Sequence, residues 1–94
     1  MTKLFKTVDQ RFKDLGFVKV VDDQYVVVYE RPCPRYTHVL ALVHKAKGLP
    51  LIQSYDKNLF DEEKIGNTCV GLTYLETKLA LKKMRKKGWH RNEK

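Results

Sequence analysis

Apolar residues near the start of the chain recur at intervals of three and four positions. They cover an arc of about 100°, which is typical of a one-sided helix packed on a core. Gly16 stands where a left-handed C-terminal cap is expected, and Phe17 beyond it is placed to fold back on the last turn. We therefore predict a helix over residues 2–15. Its apolar side is formed by Leu4, Phe5, Val8, Phe12 and Leu15.

The pattern then changes to one that favours β-strands. Residues 25–31 are mostly β-branched or aromatic, and Pro32 and Pro34 end that segment because proline cannot donate to a strand ladder. Similar segments predict strands over about 17–21, 25–31, 36–45 and 49–55. Short connections favour an antiparallel arrangement, since parallel crossovers need about a dozen residues or more.

Residues 56–71 lack a clear period, and we predict an irregular acidic loop there with a short helical turn. Asp61, Glu62 and Glu63 give this loop its acidic character. Thr73 and Glu76 then have the spacing of a capping box, so we predict a second helix over residues 73–88 and a tail over 89–94. The expected fold is a single α+β domain over residues 1–94. It has a mostly antiparallel four-stranded sheet in the order α-β-β-β-β-α.

Positive charge is concentrated in the second helix and the tail. Residues 72–94 hold eight of the 19 basic residues and two of the 11 acidic ones, so they carry +6 of the net +8. Such a cationic stripe points to an anionic partner, either nucleic acid or an acidic protein. The alternative is a solvated surface, or a stripe neutralised by the acidic loop. The candidate contacts are Lys78, Lys82, Arg85, Lys86 and Trp89.

Two tyrosines of the predicted sheet suggest a second kind of contact. Tyr25 and Tyr29 share one face of the strand over residues 25–31. Aromatic side chains on an uncovered sheet face can stack on the bases of a single strand. The alternative is burial of the rings with only the hydroxyl groups hydrated.

The second helix also has apolar residues on two sides. Leu75 and Leu79 lie nearly opposite the other apolar residues of this helix. If both sides are buried, a homodimer is an economical way to cover them. The other side consists of Tyr74, Ala80, Leu81 and Met84.

The sequence contains few of the residue patterns that are typical of catalytic, cofactor-binding or metal-binding sites. Ser54 is not part of a Gly-x-Ser-x-Gly elbow, and the chain has no glycine-rich phosphate loop. His38 and His44 are about 20 Å apart along a strand, too far to share a metal ion. Cys33 and Cys69 are expected to stay reduced. We therefore expect a non-enzymatic protein without a cofactor or a metal.

The location of the protein is expected to be the cytoplasm. No apolar run approaches the roughly 20 residues that span a bilayer, so no membrane partner is expected. The N-terminal residues lack the apolar segment and small-residue cleavage site of a signal peptide.

Several short segments, spread over most of the chain, resemble those of small uncharacterised phage or prophage proteins of Gram-positive bacteria. The resemblance implies an accessory protein of a mobile element and assigns no site residues. We therefore expect a non-catalytic binding module that contacts nucleic acid through its basic helix, or alternatively an interaction protein that docks on an acidic host or phage protein. The segments are Leu15-Gly16-Phe17, Tyr29-Glu30-Arg31, His44-Lys45, Ile52-Gln53-Ser54-Tyr55 and Val70-Gly71-Leu72-Thr73-Tyr74.

Overall fold

The four strands form one sheet, with a helix before it and a helix after it in the chain. The computed structural model describes residues 6–44, 49–58 and 69–89. All three strand pairs are antiparallel, and the strand order is β1-β2-β3-β4. The predicted fold class and element order are confirmed. The elements are α1 (Val8–Asp14), β1 (Val18–Asp22), β2 (Val26–Pro32), β3 (Thr37–Val43), β4 (Leu51–Asp56) and α2 (Tyr74–Lys86).

Both helices begin with a capping box. In α2 the Thr73 side chain accepts from the Glu76 backbone N–H at 3.1 Å, as predicted. In α1 the same arrangement joins Thr7 and Gln10, so this helix begins at Val8 and the predicted start at residue 2 is wrong. The physical reason is that Thr7 has an extended backbone and its side-chain oxygen accepts the Gln10 backbone N–H, one of the first N–H groups of the helix that has no partner within it. Residues 1–5 lie outside the described part.

Both helices also end in the same way. Gly16 and Gly88 have φ values of +97° and +82°, in the left-handed region that suits glycine. The next residue in each case, Phe17 or Trp89, donates its backbone N–H to the carbonyl five positions earlier, at 3.0 and 2.9 Å. Both aromatic side chains are buried, as expected of this helix end. Trp89 therefore belongs to the core, and its assignment to the start of a tail is wrong.

The core lies between one face of the sheet and the two helices. Phe12 of α1 stacks on Tyr29 of β2, with ring centroids 4.1 Å apart. Phe17 meets both rings edge to face. The core is completed by Val8, Val27, Leu40, Leu42, Leu79, Ala80, Met84 and Trp89.

The apolar residues of α2 are divided differently from the prediction. Leu79 is buried within one chain, together with Ala80 and Met84. Covering Leu79 therefore requires no second subunit, because α1 packs beside α2 and Leu15 contacts the same cluster. Three other apolar side chains of this helix remain exposed in the single chain. Tyr74, Leu75 and Leu81 are 79%, 46% and 53% exposed.

Neither described helix is long and apolar enough to cross a membrane.

Candidate anion-binding groove

The cations of α2 are divided between two environments. On the side that faces β1, Lys83 and Lys87 belong to an ion-pair cluster with Asp9, Lys19 and Asp22. The Lys83 ammonium lies 3.1 Å from Asp9 and 3.5 Å from Asp22. Lys87 lies 2.8 Å from Asp22, and Lys19 lies 2.7 Å from each aspartate. Two of the cations in the basic segment therefore serve to join α1, β1 and α2.

This ion-pair cluster keeps its carboxylates charged. Hydrogen bonds from Lys19 and Lys87 hold the pKa of Asp22 well below its usual range. Burial raises the pKa of Asp9, but hydrogen bonds from Lys19, Tyr29 and Lys83 outweigh it and lower that pKa overall. Charged carboxylates neutralise the neighbouring ammonium groups, so this side of α2 offers little net positive field to a ligand.

A neighbouring side of α2 meets α1 in a groove of about 400 Å³, which we call the basic groove. Lys6 forms an exposed ion pair with Asp14 at 2.6 Å. The other four cations of the groove have no ion pair within the described residues. No acidic side chain is among the described residues that line it. Those residues are Lys6, Val8, Arg11, Lys82, Arg85 and Lys86.

Two helices bring these cations together. Lys82, Arg85 and Lys86 are spaced three and four positions apart, so they share one side of α2. Arg11 lies one turn after Val8, and the burial of Val8 fixes which flank of α1 meets α2. Sequence reasoning identified the three residues of α2 and missed Lys6 and Arg11. No sequence signal shows which flank of α1 would face α2.

Lys78 extends the same side of α2 by one turn. It is exposed, and its ammonium lies 5.3 Å from the centre of the Tyr74 ring. It does not line the basic groove. Lys78, Lys82 and Lys86 follow one another at intervals of four residues, so together they span about 12 Å along the helix.

Trp89 cannot stack on a base in this structure, so its assignment as a nucleic-acid contact is wrong. The side chain is only 5% exposed. The ring centroid lies 5.4 Å from that of His44, and the Lys87 ammonium lies 5.6 Å from it. The ring lies away from the cations of α2 because the helix ends at Lys86 and the left-handed Gly88 turns the chain inward.

The two tyrosines proposed for stacking have different environments. Tyr29 is 1% exposed, and its hydroxyl donates to Asp9 at 2.6 Å, so its assignment to stacking is wrong. The reason is that this side of β2 faces the helices. Burial, together with the Asp9 carboxylate, raises the pKa of Tyr29 far above its usual value. Tyr25 precedes β2, is 50% exposed and is not among the described residues of the basic groove.

The acidic loop cannot be placed relative to the basic groove. Asp61, Glu62 and Glu63 lie outside the described residues.

A buried chain of polar groups crosses the sheet next to α2, and sequence reasoning missed it. Arg31 lies 3.0 Å from the Glu76 carboxylate, and its guanidinium donates to His38 Nδ1 at 3.0 Å. His38 Nε2 lies 2.6 Å from Ser54 Oγ. Burial and the Arg31 charge lower the pKa of His38 below its usual 6.5.

The contact between Ser54 and His38 has the atoms of a nucleophile and base, but the wrong proton arrangement. Arginine can only donate, so His38 Nδ1 must be the acceptor and Nε2 must carry the proton. That proton points at Ser54 Oγ. A general base would need an unprotonated nitrogen there to take the serine proton. The contact is therefore a structural hydrogen bond.

Within the described residues, no group of three or more His, Cys, Asp or Glu side chains is placed to hold a metal ion. No protein-family model, no curated protein and no solved structure matches this chain. The basic groove is therefore interpreted from its own residues.

Proposed function

We propose that this protein is a non-catalytic binding module that holds nucleic acid in the basic groove. The observation that carries the proposal is the division of charge on α2. Lys83 and Lys87 are neutralised by aspartates, whereas Lys82, Arg85 and Lys86 converge with Arg11 on a groove with no acidic side chain among its described residues. A phage or prophage accessory protein acting in the cytoplasm is the setting we propose.

The dimensions of the cationic surface suit a phosphate backbone. Lys78 to Lys86 span about 12 Å along α2. One strand of DNA presents a phosphate about every 3.4 Å along its axis, so the stripe faces roughly three or four phosphates. Long exposed side chains can follow such a backbone without fixed geometry, and binding releases the counterions that the phosphates hold.

Fluorescence anisotropy with labelled single-stranded and duplex oligonucleotides at low salt tests this proposal. We expect the triple variant Lys82→Gln, Arg85→Gln, Lys86→Gln to lose at least about tenfold in affinity, because three phosphate contacts are removed.

The matched control removes three cations from elsewhere on the surface and therefore makes the same change in net charge. Lys13, Arg35 and Lys57 are exposed and do not line the basic groove. The glutamine triple at these positions should bind nearly as well as wild type. Equal losses in both triples, or no binding by wild type, would contradict the proposal.

Three exposed apolar side chains favour an alternative partner. Tyr74, Leu75 and Leu81 lie among the cations of α2, and apolar groups of this kind contribute to protein interfaces more than to phosphate contacts. The alternative proposal is an interaction protein that docks on an acidic host or phage protein through α2, with a homodimer as its working form.

Light scattering separates the dimeric form of this alternative from the first proposal. A homodimer has twice the mass of the 11.1 kDa chain. If the protein is a homodimer, replacing Leu75 and Leu81 with glutamine should return the measured mass to that of a monomer. If the wild-type protein is a monomer that binds nucleic acid, the result supports the first proposal instead.

A further inference from the structure

A second groove lies on the other flank of α2, between that helix and β4. It has a volume of about 420 Å³, and we call it the aliphatic groove. Arg85 lines both this groove and the basic groove. The other residues that line the aliphatic groove are Pro50, Leu51, Ile52, Leu81, Met84 and Trp89.

The lining of the aliphatic groove selects for an alkyl chain. Arg85 is the only charged side chain among the described lining residues, and none of them carries a carboxylate, an amide or a hydroxyl group. A polar ligand would lose its hydration there without recovering the hydrogen bonds. An alkyl chain has no hydrogen bonds with water to lose, and it gains from leaving water. Leu81 is 53% exposed, so the groove is open to solvent along this side chain.

We propose that the aliphatic groove binds a long-chain carboxylate such as a fatty acid. The alkyl chain lies along Ile52, Leu81 and Met84, and the carboxylate accepts hydrogen bonds from the Arg85 guanidinium. Arginine is suited to this contact because its planar donors match both oxygens of a carboxylate. The volume of the groove is within the roughly 300–1,000 Å³ that small-molecule sites occupy. This binding does not depend on nucleic acid in the basic groove.

Trp89 provides the readout, since it is the one tryptophan of the chain and it lines the aliphatic groove. Titration of the protein with monomeric dodecanoate should change its emission in a saturable way. Decanoate should bind on the order of tenfold more weakly, because each buried methylene contributes about 0.8 kcal/mol. Dodecyltrimethylammonium has the same chain with the opposite charge and should bind more weakly than dodecanoate. Equal affinity for the two amphiphiles would overturn the proposal, because Arg85 would then have no role.

Two variants of α2 distinguish binding in the aliphatic groove from general adsorption to the protein surface. Leu81→Gln should weaken dodecanoate binding by about five- to tenfold. The matched control is Leu75→Gln, because Leu75 is similarly exposed and lies outside this groove. Arg85→Gln should weaken dodecanoate binding on the order of tenfold and should strengthen binding of the cationic amphiphile, because the like-charge repulsion is removed.

Two results would overturn the proposal. One is an emission change that is the same in the Leu81 and Leu75 variants, which indicates adsorption only. The other is that the protein does not bind dodecanoate but does bind a synthetic peptide of alternating leucine and glutamate. The aliphatic groove would then be a protein-docking surface.

Discussion

Glu76 is the residue whose replacement tests the fold most sharply, because one carboxylate has two structural tasks. One oxygen accepts the Thr73 backbone N–H at 2.9 Å and caps α2. The other pairs with Arg31 at 3.0 Å, where Glu76 is 3% exposed and the Arg31 side chain is 26% exposed. Glu76→Gln keeps an acceptor for the cap but removes the charge that Arg31 requires.

The size of the effect follows from that burial. Removing one partner of a buried ion pair costs about 3–5 kcal/mol, because the other charge is left uncompensated. Water reaches part of Arg31, so we expect Glu76→Gln to lower the free energy of unfolding by about 2–3 kcal/mol. Glu76→Ala also removes the cap and should cost about 1 kcal/mol more. Small domains have only about 5–15 kcal/mol in total, so both losses are readily measured.

Urea unfolding followed by the emission of buried Trp89 measures these losses. The matched control is Glu30→Gln, which breaks the more exposed pair with Lys57 at 3.3 Å and should cost less than about 1 kcal/mol. If Glu76→Gln shifts the unfolding midpoint no more than Glu30→Gln does, the buried pair does not stabilise the fold as argued here.

Three further predictions concern the core and its polar chain. The pKa of His38 is lowered below 6.5 in the folded state, so His38 is protonated at a higher pH in the unfolded chain than in the folded one. Its contribution to the free energy of unfolding is therefore complete above about pH 6.5 and is lost as the pH decreases toward the folded-state pKa. Urea midpoints measured between about pH 7 and pH 5 should show this fall in wild type and a flatter profile in His38→Gln. Trp89→Ala should cost about 3–5 kcal/mol in urea unfolding followed by circular dichroism, and an unchanged midpoint would show that the ring is not in the core. Phe12→Ala should cost a similar ~3–5 kcal/mol because Phe12 stacks on Tyr29; a thermal midpoint equal to that of wild type would contradict the described core.

The parts of the fold that the sequence predicted correctly are governed by local interactions. The capping box of Thr73 and Glu76 and the left-handed cap at Gly16 each involve residues a few positions apart, so their residue types suffice to identify them. The antiparallel strand order follows in the same way from short connections. The burial of Trp89 is also predictable from the sequence, because Gly88-Trp89 repeats the glycine-aromatic pair of Gly16-Phe17 at a helix end.

The contacts that sequence reasoning missed are those that depend on strand register and helix packing. Arg31 and His38 are direct partners across β2 and β3, and Ser54 lies diagonally across β3 and β4. A one-residue shift in register would move each of these side chains to the other face of the sheet, and no local pattern determines the register alone. Likewise, Arg11 joins the basic groove only because α1 packs beside α2.

The contribution of Arg11 gives the most direct test of the central claim, which is that two helices form one anion-binding groove. Arg11, Lys82, Arg85 and Lys86 have no ion pair among the described residues, and four phosphate contacts predict a log–log salt slope of roughly −3.6 on duplex or −2.8 on single strands. Arg11→Gln should flatten that slope by about 0.7–0.9, although this residue lies outside the basic helix. The control Lys13→Gln, on the same helix but outside the groove, should leave the slope unchanged. Equal slopes for wild type and Arg11→Gln, with normal folding, would contradict the account.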